Sequence, residues 1–339
     1  MTLLLLIITQ YTKVKTGIKQ AKTDKFRKEL KMTTREMKIQ IINYPGAMQT
    51  ATLGLYEMFL LANRFAEEHA LAARFEVEIT DVAKLATQKR KNNIVILPPN
   101  IVDEYFLAPE TVLSQWIIKQ HKQGAVICAV CAGTFILAET GLLNNRPATT
   151  HWGLAAQLET LYSEVNINSE KIIINDGDLI TAGGLMSWMD LGLELVAQFF
   201  NPAIMRQLGK HLIIDTAPRE QRYYQSFNPR FDHGDDVIHK IQTHIQAKFH
   251  TRLTVASLAE KSHLSERTFA RHFIQATGFN TNEYLQRLRI QKACELLEST
   301  KKTFEVIAYD VGYEDVSACR KAFVKIIGLT PKEFRRRFV

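Results

Sequence analysis

The C-terminal part of the chain contains one pattern twice, and any fold must accommodate that repeat first. Leu258-Ala259 is followed by Leu264-Ser265, Phe273, Gly278-Phe279 and Tyr284, and Ile307-Ala308 by Gly312-Tyr313, Phe323, Gly328-Leu329 and Phe334. The offset is 49 residues at the first pair and 50 at the later ones. Each copy reads as a short helix, a tight turn and a second helix with an apolar inner stripe, which is a helix-turn-helix. Thr254 is placed to cap Val255–Lys261, and Ser265 to cap a second helix running to Ala276. A linking helix is expected from Asn282 to Ser299, then helices over Phe304–Asp310 and Asp315–Ile327 around a Val311-Gly312 turn. Ahead of the repeat, Val237, Ile241, Ile245 and Phe249 recur every four residues, one face of an amphipathic helix capped by Asp235-Asp236.

Charge is divided unevenly along the 339 residues. Residues 1–37 carry nine Lys/Arg and three Asp/Glu, residues 38–234 sixteen and twenty, and residues 235–339 eighteen and twelve. A basic helical module beside a mildly acidic section points to a polyanion as partner, and the helix-turn-helix pattern to double-stranded DNA. On the two second helices Phe269 and Phe273, and Phe323 with Tyr313 just ahead of its helix, face inward. Arg267, Ala270 and Arg271, and Val316, Ser317, Arg320 and Lys321, face outward, where such helices meet a major groove.

The first 37 residues read as an appendage, either a mobile extension or sequence upstream of a start at Met32 or Met37. The run Leu3–Ile8 is far short of a membrane span, which needs roughly 20 residues, and it lacks the flanks of a signal peptide. Four cysteines are too few for a disulfide framework and suit a reducing cytoplasm. Cys128 and Cys131 form a C-x-x-C at the end of an apolar strand, where residues three apart point to opposite faces, so no metal site is expected.

From Lys38 onward, strand-like runs alternate with helical patterns. Strands are expected at Lys38–Asn43, Phe75–Asp81, Asn93–Leu97 and Ala125–Val130, with helices at Gly54–Phe65, Thr111–Gln123 and Thr134–Leu143. A hairpin turning at Asn175-Asp176-Gly177-Asp178 and a helix from Met186 to Phe200 follow. This alternation implies an α/β domain with a largely parallel sheet covered on both faces. Boundaries fall at 38–205 for this domain, 206–234 for a linker and 235–339 for the DNA-binding domain.

At Cys131 a strand runs straight into a helix. A side chain at such an elbow projects over the carboxyl edge of the sheet, where backbone N–H groups and the helix dipole would stabilise a thiolate or a bound anion. His151 lies twenty residues on and could approach it.

The segment VCAGTFILAETGLLNNRPATTHW, with LYEMF before it and TAGGLMSWMDLGLELV after it, resembles the DJ-1/PfpI-like domain of the class I glutamine amidotransferase-like superfamily. The whole of residues 38–339 resembles bacterial AraC-family regulators of the GlxA type, whose C-terminal signature is matched by Gly328-Leu-Thr-Pro331-Lys-Glu-Phe334-Arg335. The resemblance implies a flavodoxin-like three-layer α/β sandwich followed by an all-α double helix-turn-helix domain, with Cys131 at the nucleophile-elbow position. It also implies two recognition helices in successive major grooves, a small-molecule effector, a homodimer through the α/β domain, and RNA polymerase as a partner if the protein activates. No cofactor is called for.

The departures bear on catalysis. Where enzymatic relatives carry a carboxylate, six residues before the acid of Gly54-Leu-Tyr-Glu57, this chain has Ala51. Pro98-Pro99 stands where the oxyanion loop has glycines, and proline has no backbone N–H to donate. A ligand pocket lined by Cys131, Ala132, Gly133, His151 and Trp152, with Met48–Thr50 opposite, is expected in place of an active site. Cys131 reads as a pocket residue or an inert thiol, with a redox switch behind both, and His151 as a ligand contact or a structural histidine.

Overall fold

The computed structural model describes residues 34–102, 104–217 and 219–339; the expected N-terminal appendage, save its last four residues, lies outside them. The chain forms two compact units divided between Arg219 and Glu220.

The first unit runs β1 (Arg35–Asn43), α1 (Gln49–Glu68), β2 (Ala73–Asp81), β3 (Ile94–Leu97), α2 (Thr111–Lys122), β4 (Val126–Val130) and α3 (Gly133–Glu139). It continues through β5 (Pro147–Ala148), α4 (Ala155–Leu161), β6 (Asn166–Ile167), β7 (Ile173–Asn175), β8 (Leu179–Ala182), α5 (Trp188–Phe199) and α6 (Pro202–Leu212). The main sheet has the order β2-β1-β3-β4-β8-β7, and β5 and β6 form a separate two-stranded ladder. Every pair in the main sheet is parallel except β7 with β8, the hairpin expected at Asn175–Asp178.

The central strands β3, β4 and β8 are buried almost throughout because helices cover both faces of the sheet. Along β4, Ile127 and Ala129 belong to a core formed with α2 and α3, where Leu113, Trp116, Phe135 and Ile136 are buried. Cys128 and Val130 belong to the opposite core, formed with α1, α5 and α6 through Leu55, Phe59, Leu191, Val196, Ile204 and Leu208. Each fully buried Leu, Ile or Phe contributes about 1.5–3 kcal/mol, so the two cores are the main driving force for the sandwich. The order reverses between β1 and β3, and in open α/β sheets ligands bind beyond the carboxyl ends of the strands at such a point, here beside the end of β4.

Several boundaries differ from expectation. β1 begins at Arg35, since Arg35 pairs with Ala73 at the start of β2 and Met37 is buried. α3 stops at Glu139 because Gly141 turns the chain at φ 72°. The expected linker is shared between the two units. Its first residues lie in α6, whose N-cap Asn201 accepts from the N–H groups of Ala203 and Ile204, with Pro202 in the first turn. Arg219 is held to Asp190 of α5 by paired hydrogen bonds, the shortest 2.7 Å.

The second unit contains α7 (Asp236–Lys248), α8 (Val255–Lys261), α9 (Glu266–Thr277), α10 (Thr281–Ser299), α11 (Phe304–Asp310), α12 (Val316–Ile327) and α13 (Pro331–Phe338). Thr254 caps α8 in a reciprocal capping box with Ser257; Ser265 caps α9 and Asp315 caps α12. Two cores form, one per helix-turn-helix. The first gathers Ile238, Ile241, Leu258, Phe269 and Phe273, and the second Ile307, Ala308, Phe323 and Phe334. α10 joins them, giving Tyr284 and Leu288 to the first and Ile290 and Leu297 to the second. In α7 the buried stripe is Ile238, Ile241 and Ile245, while Val237 is 39% exposed. The four-residue spacing taken from Val237 drifts off the inner face, since a helix advances 3.6 residues per turn.

Candidate functional site

The elbow at the end of β4 depends on backbone strain. Cys131 has φ 56°, a left-handed conformation uncommon for a side-chain-bearing residue, and its N–H donates to the Ala182 carbonyl at 2.8 Å. That turn brings the Cys131 side chain into the same core as Cys128, so the two thiols do not point to opposite faces as the strand periodicity implied. Gly133 follows because nothing larger fits: a Cβ there would lie 2.8 Å from the carbonyl oxygens of both Leu97 and Pro98.

The loops after β1 and β3 are laced directly to each other. Met48 N–H donates to Pro99 O at 2.8 Å, Ile101 N–H to Gly46 O at 3.1 Å, and the Tyr44 hydroxyl to Pro98 O. Pro98 thus presents its carbonyl to Gly133 and Tyr44, the opposite polarity to an oxyanion hole.

The thiol is not activated. Burial pushes the Cys131 thiol up to about 11, outweighing the Ala132 N–H that favours the thiolate. Two of the elbow's N–H groups are turned inward, Thr134 donating to Cys131 O and Phe135 to Ala132 O, so they are not available to an anion. His151 is half-buried, which lowers its pKa, and its Nδ1 accepts the Gly153 N–H at 3.0 Å. No hydrogen bond joins His151 to Cys131 among the described residues, and Ala51, at the acid position, is fully buried in the first turn of α1.

The other expected pocket residues fall in different surroundings. Ala132 packs into the core with Phe135, Met48 is half-buried as the N-cap of α1, and Thr50 is exposed on its first turn. Trp152 is half-buried against His151, ring centroids 5.2 Å apart, rather than in a core. Four threonines position the histidine loop. Thr134 Oγ1 donates to Thr149 O, Thr149 Oγ1 to Lys171 O, Thr150 Oγ1 to Cys131 O, and Thr181 Oγ1 accepts the Thr149 N–H, at 2.8–3.1 Å. A pair of threonines amid apolar neighbours, Ala148-Thr149-Thr150, was the available signal.

The second unit presents two outward helix faces. On α9, Arg267 and Arg271 are exposed and Ala270 half-buried; on α12, Ser317, Arg320 and Lys321 are exposed and Val316 half-buried. Arg320 is engaged locally, its guanidinium 5.2 Å above the Phe304 ring and 3.3 Å from Glu305. Among the described residues no carboxylate pairs with Arg267, Arg271 or Lys321, leaving three cations available to a polyanion.

Comparison with known proteins agrees with both units. Residues 67–198 match the DJ-1/PfpI family, and residues 258–337 match a helix-turn-helix domain of the AraC type. The chain has the two-domain make-up of a GlxA-type AraC regulator. It is 25% identical over 224 residues to the HTH-type transcriptional regulator CdhR of Pseudomonas aeruginosa, covering 66% of each chain. It is 28% identical over 221 residues to the regulator GlxA of Rhizobium meliloti, covering 63% of this chain and 66% of that one. With ArgR of P. aeruginosa identity is 24% over 238 residues, 70% and 72% of the two chains. The chain therefore spans just under two thirds of the length of the first two regulators.

Proposed function

We propose that this GlxA-type chain is a DNA-binding transcription regulator whose DJ-1/PfpI-like unit senses a small molecule. The observation that carries the reading is the pair of capped recognition helices, with Arg267 and Arg271 exposed on one and Lys321 on the other and no carboxylate paired with them among the described residues. Arg267, Arg271, Ser317, Arg320 and Lys321 contact DNA, with Ala270 and Val316 making apolar or shape contacts. Successive major grooves lie roughly 34 Å apart, one helical turn.

The effector site is the crevice beyond β1, β3 and β4, bordered by Cys131, His151, Met48 and Thr50. A protonated thiol, a histidine engaged with its own backbone and Pro98-Pro99 carbonyls favour binding over hydrolysis or redox sensing there. A homodimer through the α/β unit, RNA polymerase as partner of an activator, and a cytoplasmic location complete the proposal. No helix among the described residues is long and apolar enough to cross a membrane.

A thermal-shift screen of metabolites against the full chain tests the sensing half. A ligand present at 100 times its dissociation constant stabilises its unit by about 2.7 kcal/mol. A hit that also changes operator affinity supports the reading; a hit whose binding leaves DNA affinity unchanged contradicts it.

A further inference from the structure

The residues just ahead of α7 read in sequence as a connector, yet they touch both helix-turn-helix units at equivalent points. Arg222 lies against Gly328, the left-handed residue (φ 84°) that ends α12; a Cβ at Gly328 would overlap the Arg222 guanidinium. Five residues later, Phe227 packs edge-to-face on Phe279, 5.7 Å between centroids, immediately after Gly278 ends α9. Gly278-Phe279 and Gly328-Leu329 are the same position in the two copies, 50 residues apart. A segment of five residues spans at most roughly 17 Å, so it limits how far apart the ends of the two recognition helices can move.

The rest of the segment is fastened along its length. The Arg337 guanidinium sits 5.3 Å from the Tyr223 ring, and Tyr224 meets Phe338 edge-on at 5.4 Å. Phe227 also packs on Tyr284 at 5.2 Å, and its N–H donates to Gln291 Oε1 at 3.0 Å, both on α10. Gln242 of α7, fully buried, donates to the Arg230 carbonyl at 2.9 Å and bonds His233 at 2.7 Å. A positive side chain at the end of α12 is also favoured by the helix dipole.

We propose that residues Glu220–His233 form a strap that holds the two recognition helices at a fixed spacing, with Arg222 and Phe227 as its positioning residues. This rests on the DNA-binding reading and deepens it. α10 is one tie between the reading heads, and the end of α7 is another, with Phe249 packed against both cores and the His250 carbonyl against Gly312; the strap adds a tie at the C-terminal ends of the recognition helices themselves, where it sets their spacing. It is also the stretch of chain through which the α/β unit is joined to the DNA-binding unit.

The test uses the full chain and a two-half-site duplex selected by it from random DNA, together with the same duplex carrying one inserted base pair between the half-sites. The ratio of the two dissociation constants reports spacing discrimination. The wild type is expected to discriminate by about tenfold or more, and Phe227→Ala to lose at least about threefold of that ratio, with Phe227→Tyr restoring it. Gly328→Ala displaces Arg222 and should act in the same direction. Gly278→Ala carries a comparable backbone penalty (φ 77°), but nothing lies within 4 Å of its new Cβ, and it should retain the wild-type ratio. Phe227→Ala weakening both duplexes equally, or the two glycine variants behaving alike, overturns the strap while leaving DNA binding intact. A wild-type chain that enriches no sequence overturns the DNA-binding reading itself.

Discussion

The Thr150 hydroxyl donates to the Cys131 carbonyl at 2.8 Å, so the loop carrying the histidine is latched to the elbow by the histidine's neighbour and not by the histidine. In a catalytic pair the imidazole would reach the thiol; here the hydroxyl beside it holds the backbone. Thr150→Val keeps the volume and removes the donor from a fully buried site, which should cost about 1–2 kcal/mol in urea denaturation. No measurable loss would show that the latch is dispensable.

The thiol chemistry follows from burial. With its pKa pushed up from the ordinary thiol range to about 11, Cys131 is protonated at neutral pH, and its alkylation by iodoacetamide should be slow at pH 8 and rise towards pH 11. Because the folded pKa is raised, the contribution to stability is fully present below the unfolded value and is lost as pH rises through about 11. Mass spectrometry of the labelled peptide against pH distinguishes this from an activated cysteine, which would label fully near neutrality.

The two faces of the DNA-binding unit should not respond alike to truncation. Arg271→Ala and Lys321→Ala should each weaken operator binding by about 1–3 kcal/mol if the side chain reads a base, measured by fluorescence anisotropy. Arg320→Ala should instead lose part of its effect through stability, because its guanidinium stacks on Phe304 and pairs with Glu305. Arg320→Ala binding as weakly as the other two with an unchanged melting temperature would reverse that assignment.

Gln242 is fully buried, donates to the Tyr284 hydroxyl and the Arg230 carbonyl, and also bonds His233. Gln242→Leu leaves those partners unsatisfied in an apolar setting and should destabilise the DNA-binding unit by about 1–3 kcal/mol, read from its thermal unfolding. A neutral result would mean that water replaces the amide.

Much of this was legible in the sequence because the decisive signals are local. Helix caps such as Thr254 and Ser265 act within three residues, and the strand run Ile94–Leu97 is apolar from end to end. What sequence could not disclose depends on contacts far apart in the chain. Whether Cys131 is a thiolate is decided by a core gathered from five strands and three helices, and the dipole of the adjoining helix alone favours the opposite protonation state. The stretch after Asn201 looked like a linker because its prolines and arginines are loop-like. Pro202 in fact starts a helix, and Arg222 and Phe227 find their partners about 50–100 residues downstream.

The most direct test is selection of bound duplexes from a random DNA pool by the full chain, followed by sequencing. Two recognition helices acting as one reader predict a bipartite motif whose half-sites are centred about 10–10.5 base pairs apart, lost in an Arg271→Ala, Lys321→Ala double variant. Recovery of no motif, or of one equally enriched by the double variant, would contradict the account.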